Sequence, residues 1–413
     1  MKKLILILLM HTAFSVNAQW VQQYPVTLNI HLQDVKFVNK NTGWTCGVGG
    51  IILKTTNGGT NWLEQNSGIV GKYLISISAV NANVVYMVGF FETIIKTTNG
   101  GINWTIIRNG PYGTGHSYES VYFINENTGW ICGSGSLIFK TTNGGVSFDS
   151  VNIPVGYLYD IYFRNENEGL VCGETATMYK TTNGGLNWQE IIVPVGNEAA
   201  NFNRLSIIND SIVYTQGVQN NKIYKSLNFG NTWDSVARVQ GADDSYTLYF
   251  PNELTGWCAG TYGLMFKTTN GGYNWQPEIV PQTNQSYIRA LYFFNQYTGW
   301  AVGGATKIFY TSNGGATFIS NTGEIIKDFK LYQNYPNPFN SSTLLSFDII
   351  KNGDYKLEIL NSLGQVIEKF SYLSLKPGHH KLSFNASKLS SGVYYYKLSS
   401  SNSSITKSMV LIK

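Results

Sequence analysis

Short apolar runs of four or five residues, broken by Gly and Asn turns, recur along most of the chain. One unit alternates over Asp34-Val35-Lys36-Phe37-Val38, turns, and continues as Gly43-Trp44-Thr45-Cys46-Gly47. A Gly-rich turn then leads into Ile51-Ile52-Leu53-Lys54-Thr55, and a turn at Asn57-Gly58-Gly59 leads to a last segment at Trp62. Runs this short and this often interrupted predict β-strands, four to a unit, and exclude helices, which need longer periodic stretches.

The unit recurs seven times. Lys-Thr-Thr-Asn-Gly-Gly-x-Asn-Trp and its variants start at Lys54, Lys96, Lys140, Lys180, Lys225, Lys267 and Tyr310, in steps of 42, 44, 40, 45, 42 and 43 residues. Asn39, Asn81, Asn125, Asn165, Asn209, Asn252 and Asn295 keep the same beat, as do the pairs from Trp44…Gly47 to Trp300…Gly303. A period near 43 suits a four-stranded propeller blade or a two-helix repeat, and the strand pattern selects the blade. The expected fold is therefore all-β, a seven-bladed β-propeller whose radial closure hides its sheet edges. The fifth copy departs most, since Lys225-Ser226-Leu227-Asn228-Phe229-Gly230 lacks the double Gly and carries one inserted residue before Lys225. Trp20-Val21-Gln22-Gln23 resembles Trp62-Leu63-Glu64-Gln65 and can pair into the last blade; Thr317-Phe318-Ile319-Ser320 competes for that place.

After Asn321 the beat stops and Ser and Lys increase. The Pro-rich stretch Leu331–Asn340 forces an extended, turn-rich path. Strand-like segments follow at Tyr355–Leu360, Val366–Phe370, Lys381–Phe384, Val393–Leu398 and Ile405–Leu411, which predict a small Ig-like β-sandwich. The expected domains are a signal peptide at 1–18, the propeller at 19–322, a linker at 323–333 and the sandwich at 334–413.

Composition narrows the classes. Charged residues make up 13% and aromatics 14% of 413 residues, which excludes a disordered chain and a coiled coil. The net charge of +5 is uneven, because residues 328–413 carry ten basic and five acidic side chains. The propeller segment is left near −2 and offers no basic footprint for nucleic acid. Lys2 and Lys3, the apolar run Leu4–Met10 and the small-residue end Val16-Asn17-Ala18 predict a secretory signal peptide. The run is too short for a membrane anchor and His11 interrupts it, so the expected mature chain is exported and has no transmembrane segment. Cys46, Cys132 and Cys172 share one place in three repeats, and Cys258 lies one residue earlier in another. Neighbouring sheets lie about 10 Å apart and a disulfide needs Cα atoms within about 7 Å, so buried free thiols are expected.

The hairpin Thr55-Thr56-Asn57-Gly58-Gly59-Thr60-Asn61-Trp62 resembles the Asp-box (BNR) hairpin of sialidase-type propellers, with Asn in place of Asp. The whole unit, Gly-Trp-x-x-Gly followed by Lys-Thr-Thr-Asn-Gly-Gly-x-Asn-Trp, resembles the propeller repeat of the photosystem II assembly and stability factor family over about residues 30–320. Asn334-Tyr335-Pro336-Asn337-Pro338-Phe339-Asn340, Ser391-Gly392-Val393-Tyr394 and the ending Lys407–Lys413 resemble the type A C-terminal sorting domain of the type IX (Por) secretion system. That resemblance implies a chain carried to the periplasm and then across the outer membrane by the type IX machinery. Its tail is then usually removed, and the cargo is released or left at the cell surface.

Candidate chemistry is sparse. The mature propeller has two histidines, His31 and His116, in different units, and no spacing suggests a metal or cofactor; none is expected. A sialidase-like glycan hydrolase is the enzymatic alternative, which the resemblance ties to an Arg cluster, a Tyr/Glu pair and an acid. The five propeller arginines are Arg108, Arg164, Arg204, Arg238 and Arg289, and the Phe-Arg-Ile-Pro signature of that family is missing. The other alternative is a photosystem-type assembly role. A non-catalytic recognition or scaffolding propeller with an unknown protein or glycan ligand is favoured.

The Asn-turn and the Asn-Gly-Gly hairpin each follow an odd strand, so both fall at one end of the blades. The opposite end, which varies, is the expected binding face. It carries Phe90, Phe91, Glu92, Tyr112, His116, Tyr118, Glu174, Asn203, Arg204, Asp243, Asp244, Tyr246, Tyr262, Tyr287 and Arg289. The recurring Lys54, Lys96, Lys140, Lys180, Lys225 and Lys267 are read as packing along aromatic surface rather than as an anion-binding ring.

Overall fold

Each repeat forms one antiparallel sheet of four strands, and seven such sheets follow one another in a ring. The structure, a computed structural model, describes residues 20–23, 30–113, 115–154, 156–196, 200–242, 244–278, 280–281, 286–315, 329–361, 365–400 and 404–413. The expected signal peptide, Asp243 and the segment 316–328 lie outside the described residues. Blade one runs through Leu32–Phe37, Gly43–Gly47, Ile52–Thr55 and Leu63–Glu64. The first strands are innermost: each packs on its neighbours, and Ile288–Phe293 of blade seven packs back onto Leu32–Phe37. Blade seven takes its outer strand from the other end of the chain, with Val21 opposite Tyr310 and Gln23 opposite Ile308. The segment containing Trp20–Gln23 therefore closes the ring, and its competitor Thr317–Ser320 lies outside the described residues.

A stack between blades explains the Gly-Trp landmark. Phe163 ends the first strand of blade four, and its ring lies 3.5 Å from that of Trp130 on the second strand of blade three, at an interplanar angle of 6°. Its other face covers Gly169, where a Cβ would meet the ring at 2.7 Å. Phe123 with Tyr86, Phe250 with Tyr214, Phe293 with Trp257 and Phe37 with Trp300 repeat the arrangement at 3.5 to 3.9 Å. The rim tryptophans Trp62, Trp188 and Trp275 meet the same phenylalanines edge-on, and Trp20 does this for Phe293. The glycine that ends each second strand has a different cause, since a Cβ on Gly47 would stand 2.2 Å from the His31 carbonyl oxygen.

The lysines complete the stack. Lys54, Lys96, Lys140, Lys225 and Lys267 lie 4.9 to 5.5 Å over the second-strand aromatic of their own blade. Lys54 and Lys96 also donate to hairpin carbonyls of the next blade, Gly100 and Gly144. In blade four the stacking residue is Leu170, and the irregular fifth hairpin supplies the missing ring: Phe229 is buried there, with Lys180 5.3 Å above it.

Both repeated turns are closed by their own side chains. Thr55 Oγ1 accepts the Gly59 N–H at 2.8 Å, and Asn57 Oδ1 accepts the Asn61 N–H at 2.9 Å. Asn39 Oδ1 accepts the N–H groups of Asn41 and Thr42, both at 2.9 Å. The two turns sit together at one end of the blade, because the Gly58 N–H donates to the Asn41 carbonyl at 2.9 Å. The four cysteines are buried free thiols, and burial pushes their ionisation up.

The C-terminal unit is a two-sheet sandwich. Phe329–Leu331, Ser342–Ile349 and Gly378–Asn385 form one sheet; Val366–Leu375, Gly353–Leu360, Gly392–Ser399 and Ser404–Leu411 form the other. Two corrections to the sequence reading arise here. Phe329–Leu331 belongs to a sheet rather than to the expected linker, and Ser342–Ile349 is an unanticipated strand with Leu345, Phe347 and Ile349 in the core. The Pro-rich motif is an anchor. Buried Asn334 donates through its backbone N–H to Tyr396 Oη and through Nδ2 to Thr343 Oγ1, and the Phe339 N–H donates to the Val410 carbonyl. Among the described residues no helix is long and apolar enough to cross a membrane.

Thr97→Val keeps the shape of the second hairpin but removes the oxygen that accepts the Asn99 and Gly101 N–H groups. The expected loss is about 1–3 kcal/mol, read as a lower urea midpoint at unchanged slope.

Candidate functional site

The seven innermost strands share one register, with a bulge near their second residue, and line the axis of the ring. The second residues, one per blade, are Gln33, Ile75, Glu119, Tyr159, Asn203, Tyr246 and Arg289. They lie at the end where the inter-blade loops enter, opposite the repeated turns. Two connected pockets of about 470 Å³ and 300 Å³ open there and share Ile75, Glu119, Tyr159, Tyr246 and Arg289. Tyr73, Phe90, Tyr157 and Tyr287 complete the first pocket; Asn203 and Arg204 line the second.

The third residues form a polar tier that ties blades together. An innermost strand pairs on one edge only, so its remaining N–H groups need other acceptors. Asp34 Oδ2 accepts the Ile77 N–H of the next blade at 2.9 Å, and Asp160 Oδ2 accepts the Leu205 N–H at 2.9 Å. Ser76 accepts from Val121 in the same way. Arg204 stands in this tier, 3.9 Å from Asp160 and with 18% of its side chain exposed. Burial opposes its charge, but Asp34, Asp160 and Glu119 outweigh that and hold the guanidinium above its usual range. Below it, Lys36, Tyr122, Tyr162, Tyr249 and Tyr292 line a further cavity of about 360 Å³.

Above that tier Glu119 accepts the Tyr157 hydroxyl at 3.0 Å. Burial raises the Glu119 carboxyl, while the Tyr157 bond, Arg289 and Arg204 pull it back. Burial, then the charge of Arg204, lowers Arg289, which lies 5.3 Å over the Tyr246 ring. Tyr287 stacks on His31 at 5.4 Å and meets Tyr246 edge-on at 6.2 Å. The charges at this mouth therefore answer one another, and rings form the wall.

Of the residues singled out from sequence, Phe90, Asn203, Arg204, Tyr246, Tyr287 and Arg289 line these pockets. Phe91 and Tyr112 extend them outward: Tyr73, Phe90, Phe91 and Tyr112 contact ring to ring, and Tyr112 is exposed. Phe91 and Glu92 both hold positive φ, 57° and 54°, where blade one has two glycines, so the shoulder is built at a cost of order 1 kcal/mol each. Glu92 pairs with Arg108, and the His116 carbonyl accepts its N–H. Glu174, Asp244 and Tyr262 lie on the same end without lining either pocket. Tyr118 is corrected: it is buried among core side chains against Phe139, because it is the first residue of its strand and alternation turns it away from the axis. Glu119, Tyr157, Tyr159 and Gln33 were missed; aligning the innermost strands and reading their second column would have found Glu119, Tyr159 and Gln33. Among the described residues no three His, Cys, Asp or Glu side chains gather as metal ligands.

Fold and site together define a seven-bladed β-propeller with an aromatic, charge-paired axial mouth, in a chain that also contains a β-sandwich. Residues 13–119 and 69–156 match the family described as photosynthesis system II assembly factor YCF48, and residues 333–413 match the secretion system C-terminal sorting domain. The repeats are thus YCF48-like and the tail is a sorting domain of the Por type. No curated protein sequence matches the chain. Among solved structures, YCF48 bound to a D1 peptide aligns at 17% identity and a TM-score of 0.60, covering 71% of this chain and 97% of that one. YCF48 from Cyanidioschyzon merolae aligns at 18% and 0.58, covering 71% and 98%. Virginiamycin B lyase from Staphylococcus aureus aligns at 14% and 0.58, also covering 71% and 98%. At these identities the likeness is one of fold, and it includes an enzyme.

Tyr157→Phe removes a hydrogen bond that favours ionised Glu119. The Glu119 titration is expected to move to higher pH, read by carbon NMR of labelled glutamate side chains.

Proposed function

We propose that the chain is an exported, non-catalytic recognition propeller that holds its ligand at the axial mouth. The observation that carries this reading is the internal pairing of the mouth's charges. Arg204 is matched by Asp160 and Asp34, and Glu119 is held by Tyr157 and faced by Arg289. What remains for a ligand is aromatic wall with polar edges, which suits a ligand of low net charge bearing both flat apolar faces and hydrogen-bonding groups. A neutral glycan and an extended peptide both have that character. A peptide draws support from the similar fold of YCF48, which has been solved with a D1 peptide.

One observation favours a glycosidase instead: a tyrosine hydrogen-bonded to a glutamate beside two arginines. Burial and the Glu119 charge both raise Tyr157, so the resting phenol is protonated and would attack only if Glu119 took its proton. Arg108 is paired with Glu92 and Arg164 with Glu168, away from the mouth. Delivery is proposed to follow the type IX route through residues 333–413, to the cell surface or the medium.

Glycan and peptide arrays probed with the mature chain should give ligands whose binding falls at least about tenfold in Tyr246→Ala, as loss of a ring platform implies. A fluorogenic sialoside should not turn over. Turnover abolished by Arg289→Ala would overturn the proposal. Removing residues 328–413 should leave the protein in the periplasm, read by fractionation against the full chain.

A further inference from the structure

The third residue after a rim tryptophan can reach from a blade's outer strand to the second glycine of the next hairpin, as Ile107 does to Gly145. In two seams this residue is Gln. Gln23 Oε1 accepts the Trp62 indole N–H at 3.1 Å, and its Nε2 donates to the Gly58 carbonyl at 3.2 Å. Gln65 repeats both bonds, from Trp104 at 3.3 Å and to Gly100 at 3.3 Å. Each carboxamide lies over the second glycine of the hairpin, where a Cβ on Gly59 or Gly101 would stand 2.0 Å from its oxygen. One side chain thus bolts the tryptophan and hairpin of the next blade together.

The seam between blades six and seven has Glu278 in this position. A Cβ on Gly315 would stand 2.4 Å from Glu278 Oε2 and 2.6 Å from Trp20 Nε1, so the carboxyl occupies the place of the carboxamides. Trp20 is the rim tryptophan of the strand that closes the ring. Its Nε1 and Glu278 Oε2 are both buried and close to one another, and among the described residues neither has another hydrogen-bond partner. The Gly314 carbonyl receives Lys267 Nζ, as the Gly100 carbonyl receives Lys54 beside Gln65. A carboxyl group can copy a carboxamide only when protonated, with one oxygen accepting and the other donating; ionised, it turns a lone pair toward the hairpin carbonyl.

We infer that Glu278 is a protonation-dependent bolt on the closing blade: as the acid it joins Trp20 to the Gly314 carbonyl, and as the carboxylate it loosens that seam. Burial raises this carboxyl to about 7, with Lys267 and the Trp20 N–H opposing. Lys267 faces it from the third strand of its own blade and the closing strand presents Trp20; the seventh hairpin presents the uncharged Thr311, Ser312 and Asn313. In the open seam the carboxyl ionises near its ordinary 4.5, whereas in the closed seam it keeps its proton to about 7. The extra closing stability is therefore complete at acid pH, is lost as pH rises between those values, and stays constant above them.

The test is amide hydrogen exchange of Val21–Gln23 in the full chain between pH 5 and 8, corrected for intrinsic exchange. Opening in the wild type should rise by up to about two orders of magnitude across that range, tenfold for each pH unit of the shift. E278Q should show a flat profile, as protected at pH 8 as the wild type at pH 5. Q65E should transfer the pH dependence to the outer strand Leu63–Glu64 of blade one. Matching pH profiles in wild type and E278Q, or a flat profile for Leu63–Glu64 in Q65E, would overturn the inference.

Discussion

A phenylalanine ring held between a glycine of its own blade and an aromatic of the preceding one is the contact on which the ring depends. Sheets twist and splay from the axis, so successive blades meet along curved faces that strands alone do not fill. A flat ring on a bare glycine brings the neighbouring Trp or Tyr to 3.5–3.9 Å in five seams. Lysine then covers the outer aromatic face and bonds to the next hairpin, so one column spans core, seam and turn. One exception obeys the same volume constraint. Where Leu170 replaces the aromatic, the hairpin of blade five places Phe229 in the gap at a φ of 48°. The irregular fifth hairpin thus supplies the ring that the second strand supplies in the other blades.

That constraint explains why the fold was legible and the site was not. Gly43, Trp44, Asn39, Thr55 and Gly59 answer requirements that recur in most blades, so they repeat and can be counted. The mouth is assembled from a single column read around the axis: Gln33, Ile75, Glu119, Tyr159, Asn203, Tyr246, Arg289. No two neighbours in that column share a residue type. Reading the variable loops reached residues of the axial mouth near strand entrances, such as Asn203, Tyr246 and Arg289. It also drew in Tyr118, one position out of phase, because a shift of one residue turns a strand side chain to the other face. Ser342–Ile349 was lost for a related reason: its alternation follows directly on a Pro-rich path whose chemistry dominates the reading.

The polar tier beneath the mouth links the proposed binding mouth to the integrity of the ring. Asp34 and Asp160 are acceptors for the unpaired inner edges of blades two and five, and they also compensate Arg204. Removing Arg204 would leave buried carboxylates facing one another around the axis, a cost that falls on the fold as well as on any ligand. Arg289 is placed differently. Its neighbour in the tier is Ala290, which offers no side-chain acceptor, and Val35 in the next blade takes Asp34 Oδ1 instead. A change at Arg289 or Tyr246 therefore reports on the mouth, whereas a change at Arg204 also reports on the closure of the ring beneath it. Within one ring of seven strands, the proposed binding role separates from the structural one only where the scaffold has already found its acceptor elsewhere.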